Sequence, residues 1–337
     1  MPREPEKGKL VTVGIDGRRG IADASLMLHR TLGNSGFEVS IIGFGAWGVG
    51  GQWGPVERDA AIDAVRAALD AGVNFFDTAD AYGDPPGLSE ELIGEALRPV
   101  RDRVFMASKV GNFARRAGHP LSYTSPLHVE LCCDASLHRL KTDRIDLYQC
   151  HIGDLKEPGV FLEAFETLRR KGKIRAFGVS TNRLEVVRAF HRDGKLSAVQ
   201  LDYSLLNRSA ERELLPWCLQ NKVGTIIRGP LAMGVLAGKF TRETRFDDSV
   251  RAGWNEGAAR EKFLRRLETV EKLRFLQTPE QTLAQAALRF VISHEAVTTA
   301  IPGAKSRAQA LSNAAAGSAM LSPDLLARAR EVTAGMS

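Results

Sequence analysis

Ala71-Gly-Val-Asn-Phe-Phe-Asp-Thr-Ala-Asp-Ala-Tyr-Gly83 holds one complete structural transition. Upstream of it, Ile62, Val65 and Leu69 fall on one helical face, and Gly72 is the stop that ends the helix. Val73 to Phe76 is a short apolar run of the length a buried strand needs. The run then exits through Asp77 and, five residues on, Tyr82, in a loop that ends at Gly83. Taken alone, Asp77 could be a loop carboxylate that bonds its own backbone. The fold depends on whether the chain repeats this helix, stop, strand and polar exit.

It does repeat. Thr31-Leu-Gly-Asn-Ser-Gly36 is turn chemistry, and a strand is expected over 39–44. Ser89 is the expected N-cap of a helix carrying Leu92, Ile93, Ala96 and Leu97, followed by a strand over 104–110. Ser125-Pro126 opens a helix to about Leu140, and strand 145–150 ends at His151. Helix 159–171 leads to strand 174–179, helix 183–192 to strand 198–199, and helix 209–221 to strand 223–227. A charged insertion spans 239–276. Thr278-Pro-Glu-Gln281 then reads as a capping box for helix 280–291, ahead of strand 297–301. Ser306-Arg-Ala-Gln309 is a second box, and an amphipathic segment over 323–332 closes the chain.

Single strands alternating with single helices imply a parallel sheet with right-handed crossovers. Roughly eight such units predict a closed (β/α)8 TIM barrel, an α/β fold of one domain over 29–337. Residues 1–28 form an N-terminal extension with no assigned structure. One motif points elsewhere: Gly43-Phe-Gly-Ala-Trp-Gly48 fits G-x-G-x-x-G. A dinucleotide fingerprint needs a helix at once, and Gly50, Gly51, Gly54 and Pro55 delay any helix to about Glu57. A glycine-rich loop open to a ligand is the better reading.

Composition narrows the function classes. The chain has 337 residues, 44% hydrophobic, 26% charged and 7% aromatic. Its net charge of +6 sits on a mixed surface, with no like-charge block or aromatic-interleaved basic stretch to hold nucleic acid. A mild basic excess suits an anionic small ligand such as a nucleotide. Cys132, Cys133, Cys150 and Cys218 lack zinc spacing, so no metal site is expected, and they read as free thiols of a reducing compartment. No apolar leader and no long apolar run appears; a cytoplasmic protein without a membrane partner is expected.

In a barrel of this kind the active site lies at the C-terminal ends of the strands. The second strand delivers Asp77 and Tyr82, the third Lys109, the fourth His151, the fifth Ser180 and Asn182, the sixth Gln200 and the seventh Arg228. A phenol with a reference pKa near ~10 is a poor acid unless a cation stabilises its phenolate. Lys109 can do that, Asp77 can hold Lys109, and His151 can bond a carbonyl oxygen. This set suits protonation of a forming alkoxide, which is half of a carbonyl reduction. The hydride must come from a cofactor.

From about Leu32 to about Asn313 the chain resembles the aldo-keto reductase superfamily. The resemblance rests on Gly72 to Gly83, Ser108-Lys109, Asp146-Leu-Tyr-Gln-Cys-His151, Gly178-Val-Ser180, Gln200 and Ile301-Pro-Gly-Ala304. It implies a catalytic tetrad of Asp77, Tyr82, Lys109 and His151, with Tyr82 as general acid. It also implies that Ser180, Asn182 and Gln200 bond a nicotinamide carboxamide, and that Gly303, Ala304, Lys305, Gln309 and Asn313 grip the adenosine end. Lys305 and Arg307 at a helix N-terminus suit a 2′-phosphate, hence NADP(H). Gln309 has a second reading, as the partner of Ser306 in the capping box.

Two departures stand out. Ser180-Thr-Asn182 replaces the family's commoner adjacent Ser-Asn pair. Ile227-Arg-Gly-Pro-Leu231 places Arg228 where many members stack an aromatic ring on the nicotinamide, so its guanidinium either replaces the ring or faces the phosphates. The expected function is NADPH-dependent reduction of aldehydes and ketones, a small-molecule carbonyl being the partner. The alternative is an NADPH-binding accessory or sensor subunit with slow turnover; a third is a barrel lyase or isomerase without nicotinamide. Specificity is expected from the loop at Trp47, from 111–124 and from the insertion with Trp254. Which carbonyl is used, and the oligomeric state, are not legible in the residues.

Overall fold

The computed structural model describes residues 27–119 and 121–336, so all but the last two residues of the N-terminal extension lie outside the described residues. The elements run β1 (His29–Thr31), β2 (Glu38–Ser40), β3 (Phe44–Gly45), α1 (Arg58–Asp70), β4 (Phe75–Asp77), α2 (Leu88–Leu97), β5 (Phe105–Val110), α3 (Phe113–Arg116) and α4 (Pro126–Leu140). They continue with β6 (Ile145–Cys150), α5 (Gly159–Arg170), β7 (Ile174–Ser180), α6 (Leu184–Phe190), β8 (Ala198–Asp202), α7 (Leu214–Gln220) and β9 (Gly224–Arg228). Last come α8 (Gly257–Lys272), α9 (Leu283–Ile292), β10 (Thr299–Ala300), α10 (Arg307–Ala315) and α11 (Pro323–Val332).

Strands β3 to β10 pair in chain order, and every pairing is parallel. Parallel bridges Ile42↔Ala300 and Gly45↔Gly303 join the two edges, so the sheet closes into the (β/α)8 barrel. That closure explains Gly45: a Cβ there would lie 2.5 Å from the Ile301 carbonyl oxygen. The glycine pattern that imitated a nucleotide fingerprint belongs partly to the barrel seam.

Period-two alternation sorts the strand side chains into two cores. Phe75, Ala107, Leu147, Ala176, Ala198, Ile226 and Ile301 fill the barrel interior, together with Leu32, Phe37 and Val39. The outward set, including Phe76, Met106, Val110, Tyr148 and Phe177, packs under the helices. The β1–β2 hairpin plugs the floor of the barrel: Leu32 is fully buried and the Phe37 ring stacks on Phe105 at 4.9 Å.

Four local expectations are corrected. The strand expected over 39–44 is two pieces. β2 pairs antiparallel with β1, and β3 joins the barrel. Asn74 makes the break by taking the Ser40 N–H at 2.7 Å and donating to the Glu38 carbonyl at 2.9 Å. Ser89 is not a cap. It lies inside α2, buried, with its hydroxyl on the Ala46 carbonyl, and Gly87 at φ 95° precedes the helix. Helix 209–221 is a short 3-10 turn followed by α7, because Pro216 has no N–H for an unbroken helix. The capping box sits at Thr282 and Gln285 instead of Thr278 and Gln281. Thr278 and Gln281 close a turn through Pro279, residue chemistry that turns and helix starts share.

Candidate active site

The register places Asp77, Lys109, Gln149 and Gln200 at the interior of the C-terminal rim. Asp77 and Lys109 are fully shielded, at 1% and 0% exposure. A buried charge demands partners, and here both are saturated. The Lys109 ammonium donates to Asp77 Oδ1 at 2.5 Å, to the Thr78 carbonyl at 2.8 Å and to the Tyr82 hydroxyl at 3.2 Å. Those are its three protons. Asp77 Oδ2 accepts from Gln149 Nε2 at 3.0 Å and Gln200 Nε2 at 2.8 Å. Burial pulls the Lys109 pKa down, but the Asp77 charge and the Tyr82 oxygen outweigh it and hold the ammonium above its ordinary value.

The Tyr82 ring is flanked on two sides. Trp47 stacks on it at 6.0 Å and 26°, and His151 meets it edge-on at 5.7 Å. Burial raises the Tyr82 pKa and outweighs the opposing pull of Lys109, so the phenol keeps its proton through neutral pH. Burial, with Lys109 and Arg228 adding to it, holds His151 well below the ordinary imidazole value. The ring is therefore neutral, and its Nδ1 is buried without a hydrogen-bond partner among the described residues. The strand ends thus unite a protonated phenol, a neutral imidazole and a permanent cation.

The remaining predicted residues form two groups. Ser180 is buried at the end of β7; Asn182 accepts the Asp202 N–H at 2.9 Å and Arg228 Nη2 at 3.1 Å. Arg228 is thereby tied to the rim, near enough to His151 to act on its charge. Across the mouth, Asn313 Nδ2 donates to the Gly303 carbonyl, and Ala304 is buried. Gln309 does not close the box with Ser306: its Oε1 accepts the Lys305 N–H at 2.8 Å, while Ser306 Oγ caps the Gln309 N–H. Lys305 turns inward onto the Trp53 carbonyl at 2.7 Å, and Arg307 pairs with Asp63 of α1 at 3.0 Å. Trp254 packs against Phe246 and Phe263 within the insertion.

Sequence reading missed Gln149, although alternation puts it on the inward face with Leu147 and His151. It also missed Asp80. This carboxylate is 1% exposed; Oδ2 accepts the Gly111 N–H at 3.4 Å, and Oδ1 has no partner among the described residues. Burial and the neighbouring Glu90 charge push its pKa up to about 7, against Gly111 and Arg139. Folded Asp80 therefore keeps its proton to about pH 7, whereas the unfolded chain releases it near ~4. The folded state binds the extra proton in that window, so stability falls as pH rises through it, by at most roughly 4 kcal/mol. Asp80→Asn is expected to flatten this slope, which urea midpoints between pH 5 and pH 8 would reveal.

Comparison with known proteins agrees with this arrangement. The Aldo/keto reductase family model matches residues 41–334. Aldo-keto reductase YhdN of Bacillus subtilis is 32% identical over 289 residues, covering 84% of this chain and 86% of that protein. Among solved structures, aldo-keto reductase AKR11C1 from Bacillus halodurans (holo form) superposes with a TM-score of 0.76 at 30% identity, covering 91% of this chain and 96% of that one. An aldo/keto reductase from Klebsiella pneumoniae, solved in complex with NADP and acetate, gives 0.67 at 31% identity over 91% and 94%. Among the described residues no cluster of side chains could hold a metal, and no helix is long and apolar enough to cross a membrane. The closed barrel, the saturated Asp77–Lys109 pair under Tyr82 and a match over most of its length give one conclusion: the chain belongs to the aldo/keto reductase family.

Proposed function

We propose that this protein is an NADP(H)-dependent oxidoreductase that reduces aldehyde and ketone carbonyls to alcohols, with Tyr82 as the proton donor. The observation that carries the reading is the Lys109 ammonium. Its three protons all go to Asp77, Thr78 and the Tyr82 oxygen. Because Tyr82 accepts from Lys109, its own O–H proton is left for a substrate oxygen. As that proton leaves, the same ammonium stabilises the phenolate from a fixed position, without reorganisation. The neutral His151 imidazole orients the carbonyl, and the Trp47 face shields one side of Tyr82 from water.

A bound nicotinamide nucleotide supplies the hydride. The residues present fit it. Gln200 spends its amide nitrogen on Asp77 and keeps Oε1 as an acceptor for a carboxamide; Ser180 offers a hydroxyl at the next strand end. Asn182 holds Arg228 at the rim near Tyr82 and His151, which supports the guanidinium as a flat replacement for the missing aromatic ring. The α10 N-terminus, with Arg307 half-exposed beside it, supports an anion at the adenosine end. NADP in the Klebsiella complex supports the same cofactor here. The proposed domain spans 29–337, with 1–28 as an extension, and the proposed setting is the cytoplasm.

Purified protein is expected to consume NADPH with 4-nitrobenzaldehyde and across a panel of aldehydes and ketones. NADH should give kcat/KM lower by at least about tenfold, since it lacks the phosphate that a charge-assisted contact would recognise. Equal efficiency with both nucleotides would refute the 2′-phosphate assignment. No NADPH turnover on any carbonyl would refute the reductase reading.

A further inference from the structure

Tyr82 is held at its backbone as well as at its hydroxyl. The residue after it, Gly83, adopts φ 111°, a left-handed conformation suited to glycine, and a Cβ there would lie 2.8 Å from Leu88 Cβ. In this conformation the Gly83 N–H faces the loop between β3 and α1. Gln52 Oε1 accepts it at 3.1 Å, and the Gly50 carbonyl accepts the next N–H, of Asp84, at 3.0 Å. The two backbones are in direct contact, since a Cβ on Gly50 would lie 2.4 Å from Gly83 Cα. Gly50 is small so that protein, not ligand, can approach it.

Gln52 is 7% exposed, so its side chain is committed to this contact. The loop carrying it is anchored on its far side. The Gln52 carbonyl accepts from Ser249 Oγ at 3.5 Å, the Trp53 carbonyl accepts from Lys305 Nζ at 2.7 Å, and the Arg251 guanidinium lies 5.2 Å from the Trp53 ring. By contrast, Tyr82 itself donates its N–H to Ala79 and receives Gly87 and Ser89, all within its own turn. The Ser89 hydroxyl also reaches the β3–α1 loop, donating to the Ala46 carbonyl at 2.8 Å, but the Gln52 and Gly50 contacts fall on the two residues that directly follow Tyr82.

We propose that Gln52 is a positioning residue for the proton donor: its side-chain carbonyl, fixed from the insertion and from the β10–α10 loop, holds the Gly83 N–H and so sets the place of the Tyr82 hydroxyl. The proposal rests on Tyr82 as the donor. A hydroxyl displaced by even a fraction of an ångström transfers its proton less well, while the Lys305 contact to this loop falls on the Trp53 backbone carbonyl and does not involve the Gln52 side chain.

Gln52→Met keeps length and volume but removes the acceptor; Gln52→Glu keeps an acceptor oxygen at the same reach. The expected result is a kcat lower by about tenfold or more in Gln52→Met. Its NADPH Kd should stay within about twofold and its solvent deuterium isotope effect should be larger than the parent's, with Gln52→Glu recovering most of the loss. A Gln52→Met enzyme with the parent kcat and isotope effect overturns the proposal. So does a loss confined to NADPH affinity or to melting temperature, and so does an equal loss in Gln52→Glu. Tyr82→Phe, measured beside them, separates the two levels: if it turns over normally, the donor assignment fails and this proposal with it.

Discussion

Tyr82→Phe is expected to bind NADPH with nearly unchanged affinity and to lose kcat by about a thousandfold. The change removes one oxygen and leaves the ring, so the contacts with Trp47 and His151 persist. Lys109 loses one of its three acceptors but keeps Asp77 and Thr78, which is enough to hold it in place. What disappears is the proposed proton donor, and positioned general acids contribute on the order of 100- to 10,000-fold. Fluorescence titration with NADPH and steady-state kinetics with one aldehyde give the two readouts. Undiminished turnover would sink the mechanism. In the parent enzyme, reduction should stay level across neutral pH, because Tyr82 titrates above its ordinary value and His151 well below its own.

Lys109→Met should be costly in a second way. It strands Asp77 in the barrel with two glutamine amides as its remaining side-chain donors. Removing one partner of a buried ion pair costs about 3–5 kcal/mol, because the other charge is left uncompensated. Urea unfolding of the variant is expected to show a loss of this size alongside lost turnover. The double variant Asp77→Asn, Lys109→Met should regain a large share of the stability and none of the activity. If the single variant is as stable as the parent, the pair is not the buried anchor that its geometry implies. If the double variant is no better than the single one, the cost lies in packing instead of charge.

The barrel was legible because its signal is repetitive. Apolar strand runs, glycine stops and polar strand exits recur along the chain, and each repeat supports the next. Asp77, Lys109 and His151 were legible for a related reason, as polar residues at the exits of three consecutive strands, whereas their grouping with Tyr82 as a tetrad is what the family resemblance implies. Boundaries were less secure. Thr278-Pro-Glu-Gln281 and Thr282-Leu-Ala-Gln285 both satisfy the same local chemistry. The choice between them fell to where α9 packs.

What the residues determined alone is therefore the succession of elements and the side chains that reach the mouth, since both follow from periodicity within a single strand or helix. What only the tertiary structure decided is which of those side chains spend their hydrogen bonds on one another. Gln200 gives its amide to Asp77, Lys305 turns onto Trp53, Asp80 is buried next to Glu90, and Gln52 crosses to Gly83. Each contact joins residues on separate elements. No local pattern encodes such a contact, because its distance is set by the closure of the whole barrel.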